Sequence, residues 1–318
     1  MSELYQDNSD QLIQSLSYKS PNTASYIVER SNSSFQAIGS NAYGPTAGTK
    51  VIKFSLTSEN FLDCNTLRVQ FDIVHKGAGG TTLYPVSGPW CFFSRARLLI
   101  RGQVVDDITQ YGRVHEMFSF LKSEGATNCD LSEAYLNGYH KSGTLSKELY
   151  GIPYGSKHTV LFKPLFCVLN QPKFLSLKYC PMTIELELDS DEYANVIKSD
   201  ATSTYNGAWL YVSTATTSAF EIQNCVVRAD IIRLDNELQN KYDDHLSSGG
   251  AITVKYTTYY SQILKSLGTS FNVNLSRSLT YLTRVFVSFI KATTADNAGN
   301  PADFGINKIH VFIIHYDH

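Results

Sequence analysis

The stretch Pro181-Met-Thr-Ile-Glu-Leu-Glu-Leu-Asp189 alternates apolar and polar residues along its length. Side chains of a β-strand point to opposite faces in turn, so the apolar residues share one face and the acidic residues share the other. One apolar and one polar face are typical of an antiparallel sheet that covers a core on one side. The stretch therefore predicts a half-buried antiparallel strand whose core-facing residues are Met182, Ile184, Leu186 and Leu188.

The same two-residue period recurs on both sides of this stretch. It predicts further strands at Val51–Leu56, 67–74, 96–105, 208–212, Phe220–Leu234, 251–260, 271–275, 285–290 and 309–314. The 20 Tyr and 17 Phe agree with this pattern, because aromatic residues favour strands over helices. We therefore expect a mainly β protein with short helices.

The composition excludes several classes of protein. The 318 residues include 27 Lys and Arg against 29 Asp and Glu, and the net charge of −2 is unlike that of a nucleic-acid-binding domain. Hydrophobic residues make up 43%, enough for a folded core. The N-terminus lacks the pattern of a secretory leader, and the apolar stretches are too short to cross roughly 30 Å of hydrocarbon. We expect synthesis in the host cell cytosol and no transmembrane segment.

Six cysteines lie tens of residues apart, without a Cys-x-x-Cys pair. This spacing fits neither a disulfide framework nor a zinc site. We expect reduced, mostly buried thiols at Cys64, Cys91, Cys129, Cys167, Cys180 and Cys225.

Two segments carry helical spacing instead. One helix is predicted after Asp106 and Asp107, either of which can cap it, with Tyr111 and His115 on its apolar face. A second is predicted after Asp235, with an apolar face of Leu238, Tyr242 and Leu246. Each helix follows a long apolar strand and carries a Tyr near its middle. This order suggests two copies of one β domain, and chance recurrence of a helix between strands is the alternative.

The first 48 residues are rich in Ser, Asn and Gln, contain Pro and Gly, and show no sustained period. We predict an extended, slightly acidic arm at 1–48, followed by β domains at 49–200 and 201–318. Because such arms order only in an assembly, we expect the chain to fold without residues 1–45.

Three runs resemble a known family. FKPL at 162–165 and LNQPKFLSLKYCPMTIELEL at 169–188 look like the end of the first jelly roll in major capsid proteins of Polinton-like and adintovirus-like DNA viruses. LDNELQNKY at 234–242 looks like the helix that follows the matching strand of their second jelly roll. The resemblance extends over about 51–291, and its motifs are packing and turn motifs.

The resemblance implies a double jelly roll, the fold of the adenovirus and tailless-phage capsid lineage. It implies a homotrimer that forms a pseudo-hexagonal capsomer of an icosahedral virion, with neighbouring capsomers, penton and minor capsid proteins as partners. About a dozen predicted strands fall short of the roughly sixteen that two complete jelly rolls need. The count therefore leaves the second jelly roll short of strands.

No catalytic, cofactor-binding or metal-binding residues are predicted, and we do not expect an enzyme. Gly77-Ala-Gly-Gly80 lacks the Lys and Ser or Thr of a phosphate-binding loop and fits a turn. The C-terminal histidines and the acidic residues after the strand at 181–189 fit solvated segments better than metal ligands. Those residues are His310, His315, His318, Asp189, Asp191 and Glu192.

Arg95, Arg97 and Arg101 are predicted to share one strand face. Since Asp106 and Asp107 follow closely, pairing within the domain or between subunits is favoured over a nucleic-acid stripe. Two alternatives to a capsid subunit of a DNA virus remain open. One is a single-shell coat protein of a small virus, and the other is a carbohydrate-binding β-sandwich that uses Trp90, Trp209 and tyrosines as stacking platforms.

Overall fold

The computed structural model describes residues 26–44, 49–77, 82–85, 88–120, 152–189, 196–199, 220–265, 282–291 and 306–317. The first strands are β1 (Ile27–Ile38), β2 (Ala42–Tyr43), β3 (Val51–Leu56), β4 (Phe61–Asp63), β5 (Arg68–His75), β6 (Thr82–Pro85), β7 (Phe93–Ile100), β8 (Gln103–Thr109) and β9 (Ile152–Pro153). They continue as β10 (Lys157–Phe162), β11 (Phe174–Ser176), β12 (Met182–Leu188), β13 (Val196–Ser199), β14 (Phe220–Leu234), β15 (Tyr256–Lys265), β16 (Leu282–Lys291) and β17 (Ile306–Asp317). The helices are α1 (Tyr111–Phe120) and α2 (Asn236–Ser247), with 3-10 turns at Cys64–Thr66, Pro89–Phe92 and Cys167–Leu169. The prediction of a mainly β protein is confirmed.

The described strands form three sheets. The largest has 11 strands and follows the order β10-β5-β14-β1-β3-β12-β7-β8, with β2, β4 and β11 attached to this path. It is antiparallel and curls around one aromatic-rich core. Two smaller sheets have the orders β13-β6-β9 and β15-β17-β16.

Strand β12 shows why the alternating pattern produces this sheet. It pairs with β3 on one side, where Ile184 is opposite Phe54, and with β7 on the other, where Ile184 is opposite Leu98. All four predicted core residues of β12 are buried, and Ile184 is fully so. The predicted half-buried antiparallel strand is confirmed, and it lies in the interior of the sheet.

Aromatic rings fill the space inside the curled sheet. The Phe71 ring on β5 meets Phe92, Phe93 and Phe162 edge to face, with centroid distances of 6.4, 5.5 and 6.1 Å. Such edge-to-face pairs add to the hydrophobic gain from burial, because the positive ring edge faces the negative ring face. Many of the aromatic residues therefore pack in the core.

Helix α1 begins later than predicted. Asp106 and Asp107 lie in β8, and the helix begins at Tyr111, after Gln110 adopts a left-handed backbone with φ of 54°. The predicted caps are wrong because β8 continues its pairing with β7 through both aspartates. The predicted apolar face is correct in part, since Tyr111 and His115 are buried.

The chain divides into two compact units. The smaller comprises residues up to Ser31 together with Ile232–Thr253, and the larger comprises Asn32–Ile231 and Val254–His318. Within the smaller unit, the Asp235 carboxylate accepts a hydrogen bond from the backbone N–H of Glu237 at 3.1 Å and caps α2. The cap predicted for the second helix is confirmed.

The described part of the predicted arm is not an arm. Residues of β1 pair with β3, where Ala37 is opposite Phe54, and β2 pairs with β14. Tyr43 on β2 is 1% exposed, so its ring belongs to the core. Deletion of residues 1–45 would remove two strands of the large sheet, so we now expect that deletion to destabilise the fold.

The predicted division between residues 200 and 201 separates strands that pair. The sequence pattern places strand β14 in the second domain, yet this strand is hydrogen-bonded to β5 from Phe220 opposite His75 to Arg228 opposite Arg68. A division after residue 200 therefore separates two hydrogen-bonded strands, and the suggested repeat stays a prediction. The predicted strands at 208–212 and 271–275 lie outside the described residues.

A buried carboxylate joins three strands of the large sheet. The side chain of Asp72 on β5, 5% exposed, accepts hydrogen bonds from Thr159 at 2.6 Å and from Lys157 at 3.2 Å, both on β10. It also accepts one from Asn224 at 2.9 Å, where β14 bulges and takes φ of 51°. Burial opposes ionisation, but these hydrogen bonds outweigh it and lower the pKa of Asp72.

We predict that Ile184→Asp abolishes stable folding. The new carboxylate would lie in the apolar core without a partner, which costs on the order of 3–5 kcal/mol. Thr183→Asp, one residue away on the opposite face, is the matched control and should cost about 1 kcal/mol or less. Urea unfolding followed by circular dichroism measures both. Equal losses from the two variants would contradict the assignment of faces.

We predict that Asp72→Asn lowers the free energy of unfolding by about 1–3 kcal/mol near pH 7. A carboxylate with a lowered folded-state pKa stabilises the fold above its unfolded pKa, and this contribution is lost as pH falls through the folded pKa. The difference between wild type and variant should therefore shrink in acid. Urea unfolding at about pH 7 and about pH 3 tests this expectation. Glu221→Gln is the control on the same strand pair, because the Lys76–Glu221 ion pair is more exposed.

Candidate functional site

The polar face of β12 carries a row of ion pairs across the sheet. Glu185, 8% exposed, lies between Lys53 on β3 and Arg97 on β7, with an N–O distance of 2.8 Å to each. A carboxylate this buried destabilises the fold unless charged groups pair with it, and here each flanking strand provides a cation that does so. These ion pairs hold three strands in register, and they engage two of the cations on this face.

The predicted pairing of the arginine stripe is confirmed for two of its members. Arg95 binds Asp107 through two hydrogen bonds of 2.7 and 2.6 Å, and Arg97 binds Glu185. Arg101 does not share the strand face, because it lies in the turn between β7 and β8 with φ of 51°. Two of the three guanidinium groups are therefore engaged within the chain, which argues against a stripe that grips phosphates.

The one described tryptophan is part of the core. Trp90 is 2% exposed, its ring stacks on His115 at a centroid distance of 4.0 Å, and its indole N–H donates to Glu116 at 2.8 Å. A sugar-stacking platform needs an exposed ring face, so Trp90 cannot serve as one. Trp209 lies outside the described residues.

The histidines and acidic residues considered above as metal ligands do not form a metal site in the described part of the chain. There, no three His, Cys, Asp or Glu side chains come close enough to hold a metal ion. His310 and His315 lie in β17, whereas His318, Asp191 and Glu192 fall outside the described residues, as does the glycine run after Gly77.

The five described cysteines are free thiols. Cys64, Cys91 and Cys225 are buried, and Cys167 and Cys180 are half-buried, while Cys129 lies outside the described residues. Burial raises the pKa of Cys64 and of Cys225 to about 12. These two thiols stay protonated at neutral pH, which suits small core residues and not nucleophiles.

Among the described residues, many of the exposed large apolar side chains fall in two groups. Leu282, Val285 and Val287 on β16 are 50, 43 and 50% exposed. In the smaller unit the exposed apolar residues are Tyr26, Ile27, Val28, Tyr242 and Ile252. Clusters of this kind mark interaction surfaces more often than isolated exposed residues do. The sequence pattern placed Val285, Val287, Tyr242 and Ile252 in strands or helices, but it did not show which apolar faces stay uncovered.

An open pocket of about 390 Å³ lies at the end of the large sheet near the turn between β7 and β8. It is lined by Thr57, Ser58, Glu59, Leu177, Lys178 and Pro181. The lining contains no His or Cys, and the Ser58 hydroxyl accepts the backbone N–H of Asn60 at 3.1 Å. The pocket offers a contact surface with one acidic and one basic residue.

In the described part of the chain, neither helix is both long and apolar enough to cross a bilayer. No protein-family model and no curated protein matches the chain. The chain does match solved structures. It is similar to the Faustovirus major capsid protein, with 11% identity and a TM-score of 0.50, over 88% of this chain and 66% of that one.

Two further structures share the likeness. One is PBCV-1 VP54 as fitted into a reconstruction of the virophage Sputnik, with 16% identity, a TM-score of 0.46, and coverage of 86% of this chain and 55% of that chain. The other is the STIV major capsid protein, with 12% identity, a TM-score of 0.40, and coverage of 82 and 67%. The chain thus spans about 55% of the length of VP54 and 66% of the Faustovirus protein. At this level of identity the likeness to the Faustovirus protein shows a shared fold, that of double jelly-roll major capsid proteins.

Proposed function

We propose that this chain is a structural subunit of a viral capsid, a major capsid protein that works by shape and not by catalysis. The observation that carries the proposal is the likeness to the Faustovirus major capsid protein over 88% of the chain. The curled antiparallel sheet supports it, because jelly rolls hide strand edges in closed double sheets and can pack densely without edge-to-edge aggregation.

The finer features of the proposal come from the resemblance of the runs at 162–165, 169–188 and 234–242. They are a DNA virus of the Polinton-like or adintovirus-like lineage, an icosahedral shell, and a trimeric, pseudo-hexagonal capsomer. Neighbouring capsomers, penton and minor capsid proteins are the proposed partners, and the virion capsid is the proposed location.

Charge supports a shell that does not grip its genome directly. The net charge is −2, and Arg95 and Arg97 are engaged by Asp107 and Glu185. Binding to phosphates gains its affinity from cations that release counterions, and paired guanidinium groups contribute little to this term. This distribution disfavours a single-shell coat protein that packages nucleic acid through a basic surface.

Uncovered apolar residues on β16 support an assembling protein. Val285 and Val287 are both about half exposed, and burial in an assembly would remove them from water. A capsid subunit offers such burial through contacts with neighbouring polypeptides, whereas a monomeric binding module would keep these residues exposed.

We propose a different division of the chain from the one that the sequence pattern predicts. The first jelly roll extends to the end of β14 at Leu234, because β14 pairs with β5. We assign the separate sheet β15-β17-β16, which follows Val254, to the second jelly roll, and this sheet lies in the same compact unit as the large sheet. This division keeps every strand of the large sheet in one domain.

We expect the purified chain to form trimers at micromolar concentration and pseudo-hexagonal particles on a micrograph. Light scattering coupled to size exclusion measures the first property, and negative-stain electron microscopy shows the second. A stable monomer without such particles would contradict the capsid proposal. A monomer that is retained on a carbohydrate array would favour the carbohydrate-binding alternative.

A further inference from the structure

Strand β1 is paired along only part of one edge. It lies between β14 and β3 in the large sheet, yet among the described residues its pairs with β3 are confined to Ala37 and Ile38. The rest of this 12-residue strand extends beyond those pairs, and the residues from 27 to 32 are all exposed. Backbone groups along the edge of a strand form a template on which another strand can pair.

Side-chain contacts give the register of β1 against β14. The Asn32 amide donates to the Asp230 carboxylate at 3.1 Å, and Glu29 forms an ion pair with Arg233 at 3.4 Å. Both contacts belong to one antiparallel register, because three steps toward the N-terminus on β1 match three steps toward the C-terminus on β14. Asn32 is therefore opposite Asp230.

The backbone of Asp230 shows which residues of β1 face away from β14. Its N–H donates to the Thr66 hydroxyl at 2.8 Å, and Thr66 precedes β5, which flanks β14 on the side away from β1. In an antiparallel pair, a residue whose backbone groups point away is opposite another of the same kind, so those of Asn32 point away from β14. The backbone groups of Val28 and Ser34 point the same way, because the direction alternates along a strand. We call this side of β1, at Val28, Asn32 and Ser34, the open edge.

The open edge lacks two common protections against pairing. Strand β1 contains no Pro and no Lys, which natural proteins place on edge strands to prevent association. Val28 is 52% exposed, so a second strand on this edge would also remove apolar surface from water. Donors and acceptors in this arrangement bind an extended polypeptide strand.

We propose that the open edge pairs antiparallel with the open edge of a second copy of the chain, about a two-fold axis at Ser31. Two identical edges match each other, because every donor of one copy meets the corresponding acceptor of the other. In this register Val28 of one copy is opposite Ser34 of the other. A capsid subunit is surrounded by copies of itself, which makes the second copy the occupant available at the highest local concentration.

Charge and the position of β3 select the axis. An axis at Glu29 or Arg30 would place that charge opposite its own copy, which is destabilising. An axis at Asn32 or beyond would extend the pairing to Gln36, next to the residues that already pair with β3. An axis at Ser31 avoids both and sets two small hydroxyl side chains opposite each other.

This inference rests on the proposed function for the supply of further copies, and it names a contact between capsomers. A contact between two identical surfaces has two-fold symmetry, so it cannot link the three copies of a trimer into a ring. It would instead join one trimer to the next. One strand pair is a weak contact alone, but a shell repeats it many times.

A cysteine placed at the axis tests the pairing. Backbone groups of Ser31 face β14, so the two copies of this residue form a non-hydrogen-bonded pair with Cα atoms about 4.5 Å apart, within the range of a disulfide. Under mild oxidation, Ser31→Cys should give about fivefold or more disulfide-linked dimer than wild type on a non-reducing gel.

Two variants on the same strand are the matched controls. Ser33→Cys lies two residues along the same face, where the two copies would be roughly 13 Å apart. Gln36→Cys is another exposed position of β1. Both should give no more disulfide-linked dimer than wild type, because the two thiols would be too far apart to bond.

A second pair of variants tests the backbone hydrogen bonds. In the Ser31→Cys chain, Ser34→Pro removes one N–H of the open edge and leaves the ladder with β14 intact. The yield of cross-linked dimer should fall about fivefold or more. Ser34→Ala removes the same hydroxyl but keeps the N–H, so it should leave the yield unchanged. Thermal unfolding of each variant shows that the fold is retained.

The outcomes separate this inference from the proposed function. Trimers in which Ser31→Cys cross-links no better than Ser33→Cys or Gln36→Cys would overturn the strand pairing and leave the capsid proposal standing. A chain that never forms trimers but cross-links at Ser31→Cys would support the pairing and contradict the capsid proposal. Equal losses from Ser34→Pro and Ser34→Ala would overturn the pairing through backbone hydrogen bonds.

Discussion

Strand β12 must satisfy two opposite requirements at once. One face is apolar and fully buried at Ile184, while the other carries Glu185, whose carboxylate is also nearly buried. Lys53 and Arg97 from the two flanking strands make that burial tolerable. A slip of one residue against either neighbour would place the carboxylate in the core and remove its partners, so both registers follow from this strand. Pairing with β12 fixes the positions of β3 and β7. The strand order β1-β3-β12-β7-β8 therefore depends on the same constraint.

The ion pairs around β12 also shape what the protein offers to others. Arginines that could have formed a basic surface are held within the sheet, so little unpaired positive charge remains there for phosphates. Apolar side chains are instead exposed elsewhere, on β16 and around helix α2. This distribution suits a protein that associates through shape and local complementarity. It agrees with the fold shared with the Faustovirus major capsid protein.

The two-residue period predicted where strands occur better than it predicted where they end. It also did not predict which residues cap the helices or which strands pair. The bounds of Val51–Leu56 and Phe220–Leu234 agree with the sequence pattern, because alternating burial is a local property. The stretch at 96–105 contains a hairpin instead of one strand, since Arg101 adopts a left-handed backbone that the apolar pattern does not encode. Asp106 and Asp107 resemble helix caps in sequence, but pairing with β7 keeps them in β8.

The sequence by itself determined the class of fold, the face that each well-patterned strand buries, and the near-neutral net charge of −2. These properties depend on neighbouring residues and on composition. Only the tertiary structure decided that β1 and β2 belong to the sheet, that β14 lies beside β5, and that Asp72 meets Asn224, which is 152 residues away. Partners so distant in sequence are chosen by the shape of a shared core and by buried hydrogen bonds, and no local pattern records that choice.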